Sequence, residues 1–298
     1  MNSTPEGNFK SGYVAIIGRP NVGKSTLMNA FLKQKLAIVS PRPQTTRNRI
    51  LGILHGPDHQ VILQDTPGLI EPKYLLQQSM TKAVQASLGD ADLALFLIEA
   101  TGLKEEDKRV LALAKELQIP RLLVVNKIDL VPKDNIIPIL ADMQATGDFS
   151  EVIPVSALEK SNLDRLQALI VAHLPTGFPF YPPDQVADEP ERFFVGEIIR
   201  EQLFLRFSEE IPYSTAVRVE EFKEREDRKD YIRATILVER ESQKPIIIGK
   251  GGRALKAVGS AARMEIERFL DRPVYLELHI SVQKNWRRDA AAIKRLGY

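Results

Sequence analysis

Gly18-Arg19-Pro20-Asn21-Val22-Gly23-Lys24-Ser25 decides the fold, because a glycine, four residues and then Gly-Lys-Ser is the spacing of a phosphate-binding loop. Working outward, residues 13–17 are apolar and read as a buried strand. Residues 25–31 read as a helix with Leu27, Met28, Phe31 and Leu32 on one face. Strand, loop and helix form the setting the motif requires. The glycines let backbone N–H groups turn towards an anion, and the helix N-terminus adds positive partial charge. Lys24 reaches the outer phosphates, and Ser25, with Thr26 beside it, brings a hydroxyl to a Mg²⁺ ion. The expected ligand is a nucleoside triphosphate with its metal.

At 298 residues and 44% hydrophobic, the chain has core material for about two domains. With no cysteine, disulfides and thiolate zinc sites are excluded, which suits a reducing compartment. No run of about 18 apolar residues exists, and residues 1–10 are polar with no apolar signal core. The expectation is a soluble cytoplasmic protein. The net charge of +2 hides an asymmetry: from Lys244 onward 12 Lys and Arg face 5 Asp and Glu, against 29 and 34 before it. A basic end on a near-neutral chain points to a polyanionic partner.

Residues 40–47 hold two prolines and no periodicity, and read as a mobile loop. A threonine there, Thr45 or Thr46, can complete Mg²⁺ coordination when a γ-phosphate is present, which makes the loop a switch. Residues 49–54 read as an edge strand, and 61–64 as a strand delivering Asp65-Thr66-Pro67-Gly68 at its carboxyl end. Asp65 can hold the Mg²⁺ hydration shell, and the Gly68 N–H can sense the γ-phosphate. Buried strands are expected at 93–98 and 121–125, with an amphipathic helix at 105–117 between them; the second strand ends in Asn126-Lys127-Ile128-Asp129. A carboxylate at Asp129 accepts two hydrogen bonds from guanine, whereas adenine offers no donor at N1. Such a site rejects the wrong base by about 10⁴-fold or more. Asn126 can bond N7 or brace the phosphate loop, and the Lys127 stem can cover the ring. A strand at 152–155 then leads to Ser156-Ala157, whose backbone N–H can reach guanine O6, and to a closing helix at 162–174. Strands alternating with helices predict an α/β domain with a mostly parallel, doubly wound sheet and its ligand at the strands' carboxyl ends.

Together, Gly18 to Ser25, Thr45-Thr46, Asp65 to Gly68, Asn126 to Asp129 and Ser156-Ala157 resemble the five guanine-nucleotide motifs of translation-factor-like GTPases. The form GRPNVGKST with PQTTR resembles the Era family. The resemblance implies GTP and GDP as ligands, Lys24, Ser25, Thr45, Thr46, Asp65 and Gly68 as the hydrolytic set, and Ser25, Thr46 and Asp65 as metal ligands. It also implies a K⁺ ion held by Asn21. Leu69 stands where many GTPases carry a water-orienting glutamine, so intrinsic hydrolysis is expected to be slow.

Residues 175–190 contain five prolines and read as a semi-rigid linker, giving expected boundaries of 1–175, 176–191 and 192–298. Beyond it come a helix at 195–207, a turn at 211–213, and strands at 215–222 and 231–239 joined by a charged, solvated turn. Ile246-Ile247-Ile248-Gly249-Lys250-Gly251-Gly252-Arg253 then opens a helix with Leu255, Val258, Ala262, Ile266 and Phe269 on one stripe. No Lys-Ser or Lys-Thr follows, so this is no second phosphate loop. A Gly-x-x-Gly turn lets backbone approach a sugar-phosphate chain, with Lys250, Arg253 and Lys256 adding charge and the isoleucines walling a groove for single-stranded bases. This half resembles a type II KH domain, of the α+β class, and 242–252, 284–288 and 295–298 resemble the C-terminal half of the Era family. The resemblance runs from about residue 13 to 298. It implies a monomer that binds the 3′ region of 16S rRNA and acts in 30S subunit assembly. Arg287, Arg288, Lys294 and Arg295 are then expected on phosphates, Trp286 in the packing, and peripheral contact with the inner face of the cell membrane is allowed. Two rivals remain: an RNA-binding protein with a structural, barely turned-over GTP site, and a membrane-linked GTPase whose basic end binds anionic lipid.

Overall fold

A computed structural model describes residues 8–226 and 228–298. Most of the polar N-terminal stretch and Asp227 of the charged turn lie outside the described residues. Two compact units result. One holds the described residues up to Ala37, with Thr46–Glu71 and Met80–Asp188; the other holds Ile38–Thr45, Pro72–Ser79 and Glu189–Tyr298.

The first unit is built on β1 (Lys10–Gly18), β2 (Ile50–His55), β3 (His59–Asp65), β4 (Leu93–Glu99), β5 (Arg121–Asn126) and β6 (Glu151–Pro154). Their order is β2-β3-β1-β4-β5-β6, with only β2 antiparallel to its neighbour. β3 and β4 are buried along their whole length, the pattern of a parallel sheet covered on both faces. The cover comes from α1 (Lys24–Leu32), α2 (Leu75–Gly89), α3 (Glu105–Glu116), α4 (Lys133–Ala145) and α5 (Leu163–His173). α2 and α4 are not anticipated above. Strand order reverses at β1, and a sheet of this kind opens its ligand crevice at that point.

The proline-rich stretch is laid along β2. Ala187 bridges to Gly52, the Ile53 N–H donates to the Val186 carbonyl at 2.9 Å, and the Gln60 side chain bonds the backbone of Phe180 and Tyr181. Proline residues beside an outer strand also keep its edge from pairing elsewhere.

The second unit contains α6 (Glu191–Arg206), α7 (Ile211–Ser214), β7 (Ala216–Lys223), β8 (Asp230–Val238), α8 (Gln243–Ile248), α9 (Arg253–Leu270), β9 (Val274–Val282) and α10 (Ala290–Arg295). Residues 211–213, expected as a turn, are one helical turn, because Pro212 near its start fixes a helix-compatible φ. The sheet order is β7-β8-β9, antiparallel then parallel. Val258, Ala262, Ile266 and Leu270, four residues apart along α9, pack with Ile199 and Leu203 of α6 against Ile232 and Ile236. Trp286 is fully buried and donates its indole N–H to the Ser214 carbonyl at 2.9 Å, the packing role expected of it. Among the described residues, no helix is long and apolar enough to cross a membrane.

Candidate functional site

Four of the sequence-predicted nucleotide segments reach the carboxyl edge of the six-stranded sheet: Gly18 ends β1, Asp65 ends β3, Asn126 ends β5, and Ser156-Ala157 follows β6. Gly23 caps α1 at φ 104°, and a Cβ there would meet the Asn126 side chain at 2.2 Å. Only glycine fits. Gly68 lies against the Pro20 backbone, where a Cβ would come within 2.6 Å, and the next N–H, of Leu69, donates to the Gly18 carbonyl at 3.0 Å. The Leu69 side chain packs on the core cluster.

Lys24 is buried and curls over the loop, donating to the carbonyls of Gly18 at 3.2 Å and Arg19 at 3.1 Å. Burial pulls its pKa down to about 8, against the opposing pull of Asp65. Ser25 Oγ donates to Asp65 Oδ2 at 2.6 Å, and Thr46 Oγ1 lies 3.0 Å from Ser25 Oγ and 3.3 Å from the same carboxylate oxygen. Asp65 Oδ1 is buried with no hydrogen-bond partner, and burial raises the Asp65 pKa. Two hydroxyls and a buried carboxylate with an unused oxygen are a donor set suited to a hard cation such as Mg²⁺. Thr45 is not part of this cluster: its hydroxyl donates to the Arg42 carbonyl at 2.8 Å and lies 2.8 Å from Ser40 Oγ.

Asn126 holds three segments together, donating to the Val22 carbonyl at 2.9 Å and accepting from the Ala157 N–H at 3.0 Å. The Ala157 N–H expected to reach guanine is therefore engaged by Asn126 here. Asp129 is exposed and accepts from Ser156 Oγ at 2.5 Å. Lys127 donates to the Asn21 carbonyl at 2.7 Å and pairs with Glu99.

Glu99 and Asp107 are ion-pair partners of the phosphate-binding loop that the sequence does not single out. Arg19, buried in the loop, pairs with Glu99 and, at 3.3 Å, with fully buried Asp107, whose other oxygen accepts from the Lys104 N–H at 2.9 Å and so caps α3. Burial alone would raise the Glu99 pKa, but the hydrogen bond from Lys127 and the charge of Arg19 outweigh it and hold the carboxyl low. The signal was present: Glu99 is a charged residue ending the otherwise apolar β4.

In the second unit, α8 and α9 are joined by Gly249, Gly251 and Gly252 at φ 69°, 62° and 77°. A Cβ at Gly249 would strike Ala254 at 2.6 Å, whereas nothing lies near Gly251 or Gly252, so that backbone is open to a ligand. Lys250, Arg253 and Lys256 are exposed around it. Beside the turn runs an open groove of about 470 Å³ lined by Leu255, Lys256, Gly259, Arg263, Leu276 and Leu278. Ile247 belongs to the core, Ile246 stands half-exposed and Ile248 is partly buried, and the groove beside the turn is walled by leucines of α9 and β9. Arg287 pairs with Glu239 and lies over the Tyr74 ring at 5.0 Å, which ties it into the fold, whereas Arg288, Lys294 and Arg295 are exposed.

Residues 13–127 match the family described as "50S ribosome-binding GTPase" and residues 210–287 match the KH domain. A chloroplastic ERA-like GTPase of Oryza sativa subsp. japonica is 45% identical over 295 residues, 98% of this chain and 70% of that protein. Two crystal structures of Era match with a TM-score of 0.94 at 42% identity, covering 97% of this chain and 99% of theirs. One is an Aquifex aeolicus variant bound to GDP·AlF4⁻, and the other is a complex with MgGDPNP and nucleotides 1506–1542 of 16S ribosomal RNA.

Proposed function

The chain belongs to the Era family of GTPases, and from that premise we propose that it is a slow GTP switch that grips the 3′ region of 16S rRNA during small-subunit assembly. It binds and hydrolyses GTP. The observation that carries the reading is the meeting of Ser25, Thr46 and Asp65 beside Lys24 in a chain that also presents an open glycine turn above a groove.

Backbone N–H groups of the loop and the Lys24 ammonium bind the β- and γ-phosphates. Ser25, Thr46 and Asp65 are the residues that hold Mg²⁺, which when bound offsets charge on the phosphate oxygens. Asp129 reads the guanine edge while Ser156 fixes its rotation, and Asn126 braces the phosphate loop against the base-reading segment. Leu69 has no group to orient a water, so hydrolysis rests on positioning and electrostatics and is slow. Asn21, exposed at the tip of the loop, is our assignment for the K⁺ ligand. The glycine turn and its exposed lysines hold the RNA backbone while the groove takes bases.

The test is multiple-turnover phosphate release from GTP with and without a 16S rRNA 3′ segment or small subunits. Stimulated turnover is expected; release of one equivalent only would favour the rival in which GTP is structural. Replacing K⁺ by Na⁺ is expected to lower the rate, and an unchanged rate would remove Asn21 from the account.

A further inference from the structure

The groove beside the glycine turn continues onto an aromatic surface. Tyr275 of β9 lines the groove with Lys229 and Gly252 and is 57% exposed. β9 is one of the two outer strands of its sheet, and Tyr275 pairs in register with Tyr231 of β8. Their rings stack with centroids 6.0 Å apart and planes 12° apart. Tyr231 is fixed in place: its hydroxyl donates to Glu277 at 2.6 Å, and the Arg225 guanidinium lies 5.4 Å from its ring centroid. Along β8, Ile232, Ala234 and Ile236 fill the core, so by alternation Tyr231 and Arg233 stand on the opposite face.

Charge on that face is largely spent internally. Glu277 is engaged by Tyr231 and His279, and Glu221 by Lys223 and Arg233. A near-neutral face with a rigid, exposed ring at a groove edge suits base stacking better than phosphate tracking. Every base has a π-face, so such a platform accepts single-stranded RNA of varied sequence. A plain cross-strand pair would stabilise the sheet equally well from a position away from any groove.

We propose that single-stranded RNA leaving the KH groove continues over this tyrosine pair, its next base stacking on Tyr275. The inference rests on the groove being the RNA site. A KH turn clamps about four nucleotides, so the platform acts only on RNA longer than that.

The experiment measures binding of two RNAs to the full-length protein: a four-nucleotide piece of the 16S rRNA 3′ region, and the same piece extended at its 5′ or 3′ end. Tyr275→Ala is expected to weaken the extended RNA by about 5- to 100-fold and to leave the short one unchanged, with the salt dependence of binding unaltered. Tyr275→Phe should bind like the wild type and Tyr275→Leu like the alanine variant, which separates a stacking ring from mere bulk. Extended RNA held equally by wild type and Tyr275→Ala would overturn the proposal. If Gly251→Asp leaves both RNAs bound as before, the groove reading itself fails, and that failure is distinct from a silent Tyr275.

Discussion

Lys24 is the residue whose chemistry can be followed most directly. Burial brings its pKa to about 8, below the ordinary lysine value of 10.5, because the ammonium has only carbonyls and Asp65 to replace its water. Phosphates bound beside it, as proposed, would favour the charged form, so the nucleotide-bound protein would keep the proton to a higher pH than the free protein. The sign follows from linkage: above about pH 8 the free protein has lost a proton that binding must restore, and affinity for GTP falls as pH rises, by up to about tenfold per unit. Dissociation constants measured from pH 7 to 9.5 should show this decline, and Lys24→Met, weaker throughout, should show none. A flat wild-type profile would mean that Lys24 stays charged without ligand. At this scale the sequence was legible where chemistry depends on local spacing. It did not tell Thr45 from Thr46, because neighbouring side chains in an irregular loop point in directions that only the fold sets; here Thr46 joins Ser25 and Asp65. Nor did it give Arg19 its partners, since Asp107 lies 88 residues away along the chain.

Elements were legible in proportion to how cleanly their apolar period stood out. β4 is a continuous apolar run up to Glu99, β3 carries Val61-Ile62-Leu63 at its centre, and α9 repeats its core residues every four positions. α4 was obscured by Pro138 inside it and by a stretch with only Ile136 buried. α2 carries Leu76, Met80 and Val84 at the same four-residue interval, all buried, but its glutamines, serines and threonine dilute the pattern. The α8–α9 turn gives a prediction that belongs to this scale. Gly251 sits at φ 62° with open space around it, so Gly251→Asp pays a backbone cost of about 1 kcal/mol and meets no clash. Denaturant unfolding should register that small loss, while RNA binding should fall steeply, because a carboxylate then stands where the proposed RNA site would bring the phosphate backbone. Lys256→Ala should act differently, reducing the salt slope of binding by about one contact. Equal RNA affinity in Gly251→Asp would move the nucleic-acid site elsewhere on the unit.

For the whole molecule, the division into units does not follow a single cut in the chain. Ile38–Thr45 group with Glu189–Tyr298, whereas Thr46 groups with the nucleotide site. Within the second unit that segment is held by α6: buried Arg200 donates to the Thr45 carbonyl at 2.5 Å, Glu201 accepts from the Val39 N–H at 3.0 Å, and Arg42 donates to Ser208 at 3.2 Å. Arg200 also pairs with Glu197 and lies over the Phe204 ring. Thr45 and Thr46 are consecutive in the chain, so one peptide bond joins the segment held by α6 to a residue proposed to hold Mg²⁺. No spacing rule could have announced this, because Arg200 reads as an ordinary polar position on an amphipathic helix. If GTP changes the position of Thr46, the change is carried to Arg200 through that bond, and RNA affinity should differ between the GTP- and GDP-loaded protein. Coupling between binding sites is reciprocal, so RNA must then change the preference for GTP over GDP by the same factor. The double variant Arg200→Met with Glu197→Gln removes the grip without leaving a lone buried charge. RNA dissociation constants in the two nucleotide states, compared between this variant and wild type, should show their ratio moving towards one, with affinity for GTP itself little altered. A ratio that persists would route the coupling through the proline-rich stretch instead, and a wild-type ratio of one would mean that the two halves bind this RNA and this nucleotide independently.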